Sequence, residues 1–274
     1  MLEITTNHFL KGDQVEILDC PKNTKKFSVA SPDTIILHYT AGSSASSSAR
    51  YLAQNGVKAS AHLVIGRDGK IIQLVPFDTI AWHAGISSYG SRKGMNNYSI
   101  GIELDNAGVL ERTGDMYTAW TGKQYPTSEV VAKVHRNENR ERYWHTYTEK
   151  QIKVCQTICD LLIDKYAIGK ILGHEEVSPG RKVDPGPAFP LDKFRQLLLH
   201  QDRDIDSEPA VIPSTGKVAA TVLNIRKGPG VRYEKLEEQL SKNSEVEILS
   251  EKNGWYQIEV ATHGWVSSNY IQTN

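Results

Sequence analysis

Thr34-Ile35-Ile36-Leu37-His38 is an apolar run that ends on an imidazole. It reads as a buried strand that delivers one polar group at its edge. Its counterpart is Leu172-Gly173-His174-Glu175-Glu176-Val177-Ser178-Pro179-Gly180-Arg181-Lys182-Val183-Asp184-Pro185-Gly186. Here turn geometry rather than a helix holds the chain, so His174 and Asp184 can both face inward onto one point. Both residue types bind zinc, and a catalytic zinc takes three protein ligands and leaves a fourth position for water. His38 is the third ligand the chain offers. Taken alone, the His174/Asp184 spacing fits two unrelated polar loop residues equally well.

Outward from these two stretches, helical and strand patterns alternate. Ser43 to Gln54 reads as a short helix closed by Asn55-Gly56. Ser60 to Ile65 and Lys70 to Val75 flank Gly66-Arg67-Asp68-Gly69, a hairpin signal. Tyr98 to Leu104 reads as a further buried strand. Thr148-Glu149-Lys150-Gln151 has the form of a capping box, and helical spacing continues from Ile152 to Gly169. Pro190 to His200 reads as a last helix with Phe194, Leu197 and Leu198 on one face. Between these halves, 106–145 reads as a long irregular loop, a length that means a functional or a disordered segment, and its aromatics favour the first. The charged, Pro-bearing stretch 203–216 reads as a linker, and 217–274 carries the short alternating runs of a small all-β barrel.

The chain has 274 residues, enough for one medium domain and a small one. Lys plus Arg and Asp plus Glu balance at 32 each, so no net field draws it to nucleic acid or an anionic membrane. No apolar run is long enough for a membrane span. Met1 to His8 lacks the basic and apolar segments of a signal peptide, which implies a cytoplasmic protein on synthesis. Cys155 and Cys159 lie four apart on a helix, as buried free thiols would, and a disulfide scaffold is not expected.

A carboxylate among apolar neighbours, Glu103 in Ser99-Ile100-Gly101-Ile102-Glu103-Leu104, completes the candidate chemistry. Burial raises such a pKa toward the range useful for taking a proton from water. A surface Glu at a strand end is the alternative. Five blocks now stand in order: His38-Tyr39-Thr40-Ala41-Gly42, Ala59 to Ile65, Ala81-Trp82-His83-Ala84-Gly85, Ser99 to Glu103, and Gly180 to Gly186. Together they resemble the zinc-dependent N-acetylmuramoyl-L-alanine amidases of the amidase-2 family, related to T7-type lysozyme and the peptidoglycan recognition proteins. The similarity is greatest to the branch typified by the cytosolic amidase that recycles anhydro-muropeptides. The resemblance implies a mixed α/β sheet flanked by helices over 1–202, and one zinc held by His38, His174 and Asp184. It also implies that Glu103 activates water, that Lys182 stabilises the oxyanion, and that the bond cut joins N-acetylmuramic acid to L-alanine in peptidoglycan or muropeptides.

His62, Trp82 and His83 are candidate substrate contacts. A pocket-lining or structural role is the favoured reading for His62, and a packed Trp-His pair is the equal alternative for His83. Surface or packing roles are expected for His8, His135, His145, His200 and His263. Leu223 to Gly230, Gly254 to Ile258, Gly264-Trp265-Val266 and Tyr270-Ile271 resemble a bacterial SH3 domain, generally a wall- or peptide-binding module. Lys227-Gly228-Pro229-Gly230 lacks P-loop spacing and reads as a turn. Two rivals remain: a recognition protein that has lost catalysis, against which the three intact ligands argue, and an enzyme confined to soluble muropeptides inside the cell. The absent signal peptide and the branch similarity favour the second, while the SH3-like module argues for polymeric wall, as in a lysin freed by membrane disruption.

Overall fold

The computed structural model describes residues 2–28, 32–199, 215–229, 233–252, 255–259, 264–267 and 271–273. Contacts between Cα atoms divide the chain into two units, Met1–Gln201 and Asp202–Asn274. Most of the expected linker, with His200, His263, Gly230, Gly254 and Tyr270, lies outside the described residues.

The first unit is built on strands β1 (Val15–Ile17) and β2 (Thr34–Tyr39), helix α1 (Ala45–Ala53), and strands β3 (Leu63–Ile65), β4 (Ile71–Gln73) and β5 (Ser99–Leu104). Five short strands follow, β6 (Val109–Thr113), β7 (Met116–Thr118), β8 (Gln124–Tyr125), β9 (Val130–Val134) and β10 (Glu141–His145). Helix α2 (Glu149–Tyr166), strand β11 (Lys170–Gly173), the one-turn α3 (His174–Val177) and α4 (Leu191–Leu199) come next, and two small ribbons, Glu3–Ile4 with Leu10–Lys11 and Ser88–Tyr89 with Arg92–Lys93, add to the unit. The main sheet runs β11-β2-β5-β3-β4-β1, with β3 and β4 antiparallel and the other neighbours parallel.

Strand β2 is buried on both faces, which is why it reads as a continuous apolar run, whereas in β5 the apolar Ile100, Ile102 and Leu104 alternate with Ser99, Gly101 and Glu103. Ile35, Leu37, Ile100, Ile102 and Leu104 join Cys155, Ile158, Cys159, Leu162, Phe194 and Leu198 in one core. On the alternate positions, Ile36 packs with Ala84, Met95, Leu172 and Val177. His38 and Glu103 continue that second face beyond Ile36 and Gly101, because successive strand residues alternate sides. Cys20, Cys155 and Cys159 are buried free thiols.

Several expectations need correction. Gln151 does not close a capping box: Thr148 accepts from the Gln151 N–H, but the Gln151 amide donates to the Ile65 and Asp105 carbonyls instead. On α4 the buried stripe is Leu191, Phe194 and Leu198, with Leu197 38% exposed, because the i, i+3, i+7 positions share a face. The segment 106–145 is not an irregular loop. It folds as an antiparallel sheet, β8-β7-β6-β10-β9, over a small core of Ala107, Leu110, Ala119 and Tyr125.

The second unit is one antiparallel seven-stranded sheet. Its strands are β12 (Thr215–Val218), β13 (Val222–Arg226), β14 (Lys235–Ser241), β15 (Glu245–Lys252), β16 (Trp255–Glu259), β17 (Gly264–Ser267) and β18 (Ile271–Thr273). They lie in the order β14-β13-β17-β16-β15-β12-β18 around Val218, Ile225, Val246, Ile258 and Val266. Trp255 is half-buried. Among the described residues no helix is long and apolar enough to cross a membrane.

Candidate metal centre

Parallel pairing brings the site together. Gly173 pairs with Leu37, and His38 pairs with Glu103, so β11, β2 and β5 end side by side with His174, His38 and Glu103 at neighbouring levels. The carboxyl ends of parallel strands are where an open α/β sheet leaves room for a ligand. The loop after α3 then turns back, its return fixed where the Glu175 N–H donates to the Asp184 carbonyl at 2.8 Å.

Asp184 Oδ2 lies 3.0 Å from His38 Nδ1 and 2.9 Å from His174 Nδ1, and the two Nδ1 atoms are 2.9 Å apart. All three side chains are buried. Three donor atoms at mutual hydrogen-bond distance form one triangular face, which fits a tetrahedral ion that keeps its fourth corner open. Two imidazoles and one carboxylate are also the donor chemistry that such an ion selects. Burial, aided by His174, pushes the His38 imidazole down to about 4, which keeps it neutral as a ligand must be. Burial opposes ionisation of Asp184, yet the hydrogen bonds of His174 and His38 win and hold its carboxyl below the usual carboxylate range.

Glu103 stands beside this face. Its Oε2 is shielded from solvent and has no hydrogen-bond partner. Burial, reinforced by Asp184 and opposed by Lys182, pushes its carboxyl up to about 8. An unpartnered buried carboxyl is costly to fold and is poised to exchange a proton. Lys182 is half-buried on the same loop as Asp184.

The three candidate substrate contacts separate. Trp82 is 39% exposed and free to meet a ligand. His62 is fully buried: its Nδ1 accepts from the Gly101 N–H at 3.0 Å and its Nε2 donates to the Thr79 carbonyl at 2.9 Å. That geometry seats its ring in the core with both nitrogens partnered. His83 is buried against His38, with Nδ1 3.0 Å from His38 Nε2.

Two groups were not legible in the sequence. Glu175, expected only as a loop residue, is buried. Its Oε2 accepts from His135 Nε2 at 2.8 Å and from the Gly186 N–H at 3.0 Å. It therefore clamps the Asp184 loop to the end of β9, and only its place next to His174 hinted at this. Trp120, at the β7–β8 turn, is 78% exposed, while its indole N–H donates to the Ala41 carbonyl at 2.6 Å just past β2.

The profile of a family described as N-acetylmuramoyl-L-alanine amidase matches residues 28–187, and that of a bacterial SH3 domain matches 221–272. The 1,6-anhydro-N-acetylmuramyl-L-alanine amidase AmpD of Escherichia coli K12 is 38% identical over 144 residues, 52% of this chain and 60% of that protein. The N-acetylmuramoyl-L-alanine amidase AmiD of the same organism is 29% identical over 171 residues, 59% of this chain and 51% of that protein. The chain thus spans only 51 to 60% of the length of these curated relatives. Among solved structures, the E. coli AmiD complex with anhydro-N-acetylmuramic acid-L-Ala-D-gamma-Glu-L-Lys is 26% identical with a TM-score of 0.46, covering 69% of this chain and 65% of that one.

Proposed function

The chain belongs to the N-acetylmuramoyl-L-alanine amidase family, and from that premise we propose that it hydrolyses the amide between the lactyl group of N-acetylmuramic acid and L-alanine. The observation that carries this reading is the triangle of His38 Nδ1, His174 Nδ1 and Asp184 Oδ2 with the unpartnered Glu103 carboxyl beside it. In this reading His38, His174 and Asp184 hold one zinc ion. Zinc, when bound, supplies Lewis-acid polarisation of the lactyl carbonyl and acidifies the attacking water. Glu103 takes the proton from that water and passes it to the leaving amine of L-alanine. Lys182 offers its ammonium to the oxyanion that forms as the carbonyl is attacked.

We assign catalysis to residues 1–202, a linker to 203–216 and an SH3-like module to 217–274. The SH3 match favours insoluble wall as a substrate, while the likeness to AmpD favours soluble anhydro-muropeptides. The metal assignment is tested by elemental analysis of the purified chain and of His174→Ala. One zinc per wild-type chain, lost in the variant together with activity, supports it. Stoichiometric zinc retained by His174→Ala overturns it.

A further inference from the structure

Three donor atoms converging at 2.9 to 3.0 Å can serve an ion only if each imidazole turns a bare Nδ1 to the centre. Something outside the triangle must therefore hold the ring proton on Nε2. For His174 this is a backbone carbonyl: its Nε2 lies 3.1 Å from the Ala84 oxygen, which can only accept. For His38 the outer partner is another imidazole, and an imidazole can face either way. The question is what fixes His83.

His83 Nε2 lies 3.2 Å from the Ser99 carbonyl oxygen and 3.4 Å from Ser99 Oγ. The carbonyl only accepts. The hydroxyl has spent its hydrogen on the Met95 carbonyl at 2.6 Å, so it too can only accept. Nε2 of His83 must then carry a hydrogen, which leaves its Nδ1 bare in the neutral ring. That Nδ1, 3.0 Å from His38 Nε2, accepts the His38 proton and frees His38 Nδ1 for the centre. The direction set at the Ser99 carbonyl is passed through two rings.

The geometry is held rigidly. The His83 ring lies on Gly101, where an added Cβ would sit 2.2 Å from His83 Cγ, so only glycine admits it. The N–H groups of His83 and Ala84 both donate to Asn96 Oδ1, at 3.0 and 2.7 Å. One anchored dipeptide thus faces both histidines, His83 through its ring and Ala84 through its carbonyl.

We infer that His83 is a positioning residue for the metal centre, fixing the orientation and tautomer of His38 from behind. The inference rests on the reading of the centre as a metal site and reaches no further into the amidase chemistry. Outer partners of ligating histidines change metal affinity by roughly 10- to 100-fold when removed. The test is zinc affinity of the full chain by chelator competition, without substrate, for wild type, His83→Leu and His83→Asn. Leucine keeps the bulk and removes the acceptor, while the asparagine Oδ1 reaches the place of Nδ1 and can accept from His38. We expect the leucine variant to lose roughly 10- to 100-fold in zinc affinity and the asparagine variant to recover most of it. Wild-type affinity in His83→Leu, or equal losses in both variants, overturns the inference. Nitrogen-15 spectra of the zinc-loaded wild type give a second reading that needs no variant. A neutral, Nε2-protonated His83 supports the relay, and an Nδ1-protonated or charged ring overturns it. Failure of the amidase reading would look different: zinc-loaded wild type without turnover, its affinity still dependent on His83.

Discussion

Replacing Glu103 by glutamine should make the metal-free protein more stable and the zinc-loaded one nearly inert. The carboxyl rises from 4.5 to about 8, chiefly by burial, then by Asp184, against the pull of Lys182. A folded-state pKa above the unfolded value means that the native chain holds this proton more tightly. Wild type therefore loses stability as pH rises from about 4.5 through 8, and the loss is complete above 8. At about 1.4 kcal/mol per unit, allowing for partial solvent access to the side chain, the loss is about 3 to 5 kcal/mol. Glutamine does not titrate, so the stability of Glu103→Gln relative to wild type should climb by that amount between pH 5 and pH 9. Denaturant unfolding of both chains in the presence of a chelator reads it, since other titrating groups cancel in the difference. Turnover on a muropeptide with zinc should meanwhile fall roughly 10²- to 10⁴-fold. A stability difference that stays flat with pH would place the carboxyl in water and refute the reasoning, and normal turnover would give the water to another group.

Other outcomes follow from the same geometry. Burial lowers His62 to about 4 from 6.5, so its contribution to stability is present above pH 6.5 and is lost as pH falls toward 4, about 2 kcal/mol by pH 5; denaturant curves of His62→Gln should show an acid limb shallower than wild type by that amount, and parallel limbs would contradict it. Glu175→Ala leaves His135 buried without its partner and frees the Gly186 N–H, so it should cost about 3 to 5 kcal/mol in unfolding experiments and weaken zinc retention against a chelator, with wild-type values for both refuting the clamp. A chain ending at Asp202 should cleave soluble muropeptides as the full chain does and lose efficiency on sacculi, because a tethered module raises the local enzyme concentration; equal losses on both substrates would make the module part of the catalytic unit.

The parts of the fold that could be read in the sequence are those whose burial is periodic. Strand β2 is apolar through Ile35, Ile36 and Leu37 because both faces are covered, β5 turns Ile100, Ile102 and Leu104 to the core by alternation, and α2 repeats Cys155, Cys159 and Leu162 toward it. The 106–145 sheet escaped because its strands are short and wet. Glu111, Arg112 and Thr113 on β6 are all exposed, so no alternation survives there. Leu197 was placed on the wrong side of α4 because three leucines in a row, Leu197 to Leu199, mask which one continues the stripe from Phe194. In the site, His174 and Asp184 lie within one loop and could be paired by spacing. Glu103 could be picked out by its apolar neighbours. His83 could be picked out but not given its place, and Glu175 could not be picked out at all, since what defines them are contacts with Ser99, Gly101, His135 and Gly186, each brought from another part of the chain.

The central claim is that this centre adds water across the lactyl amide, and isotope-labelled water tests it most directly. The zinc-loaded chain is incubated with a defined muropeptide in ¹⁸O-water and both products are weighed by mass spectrometry. The account predicts a free L-alanine amino terminus on an unlabelled peptide and one ¹⁸O atom in the lactyl carboxylate of the sugar product, with neither formed by Glu103→Gln. Cleavage at another bond, or label carried by the released peptide, would contradict it.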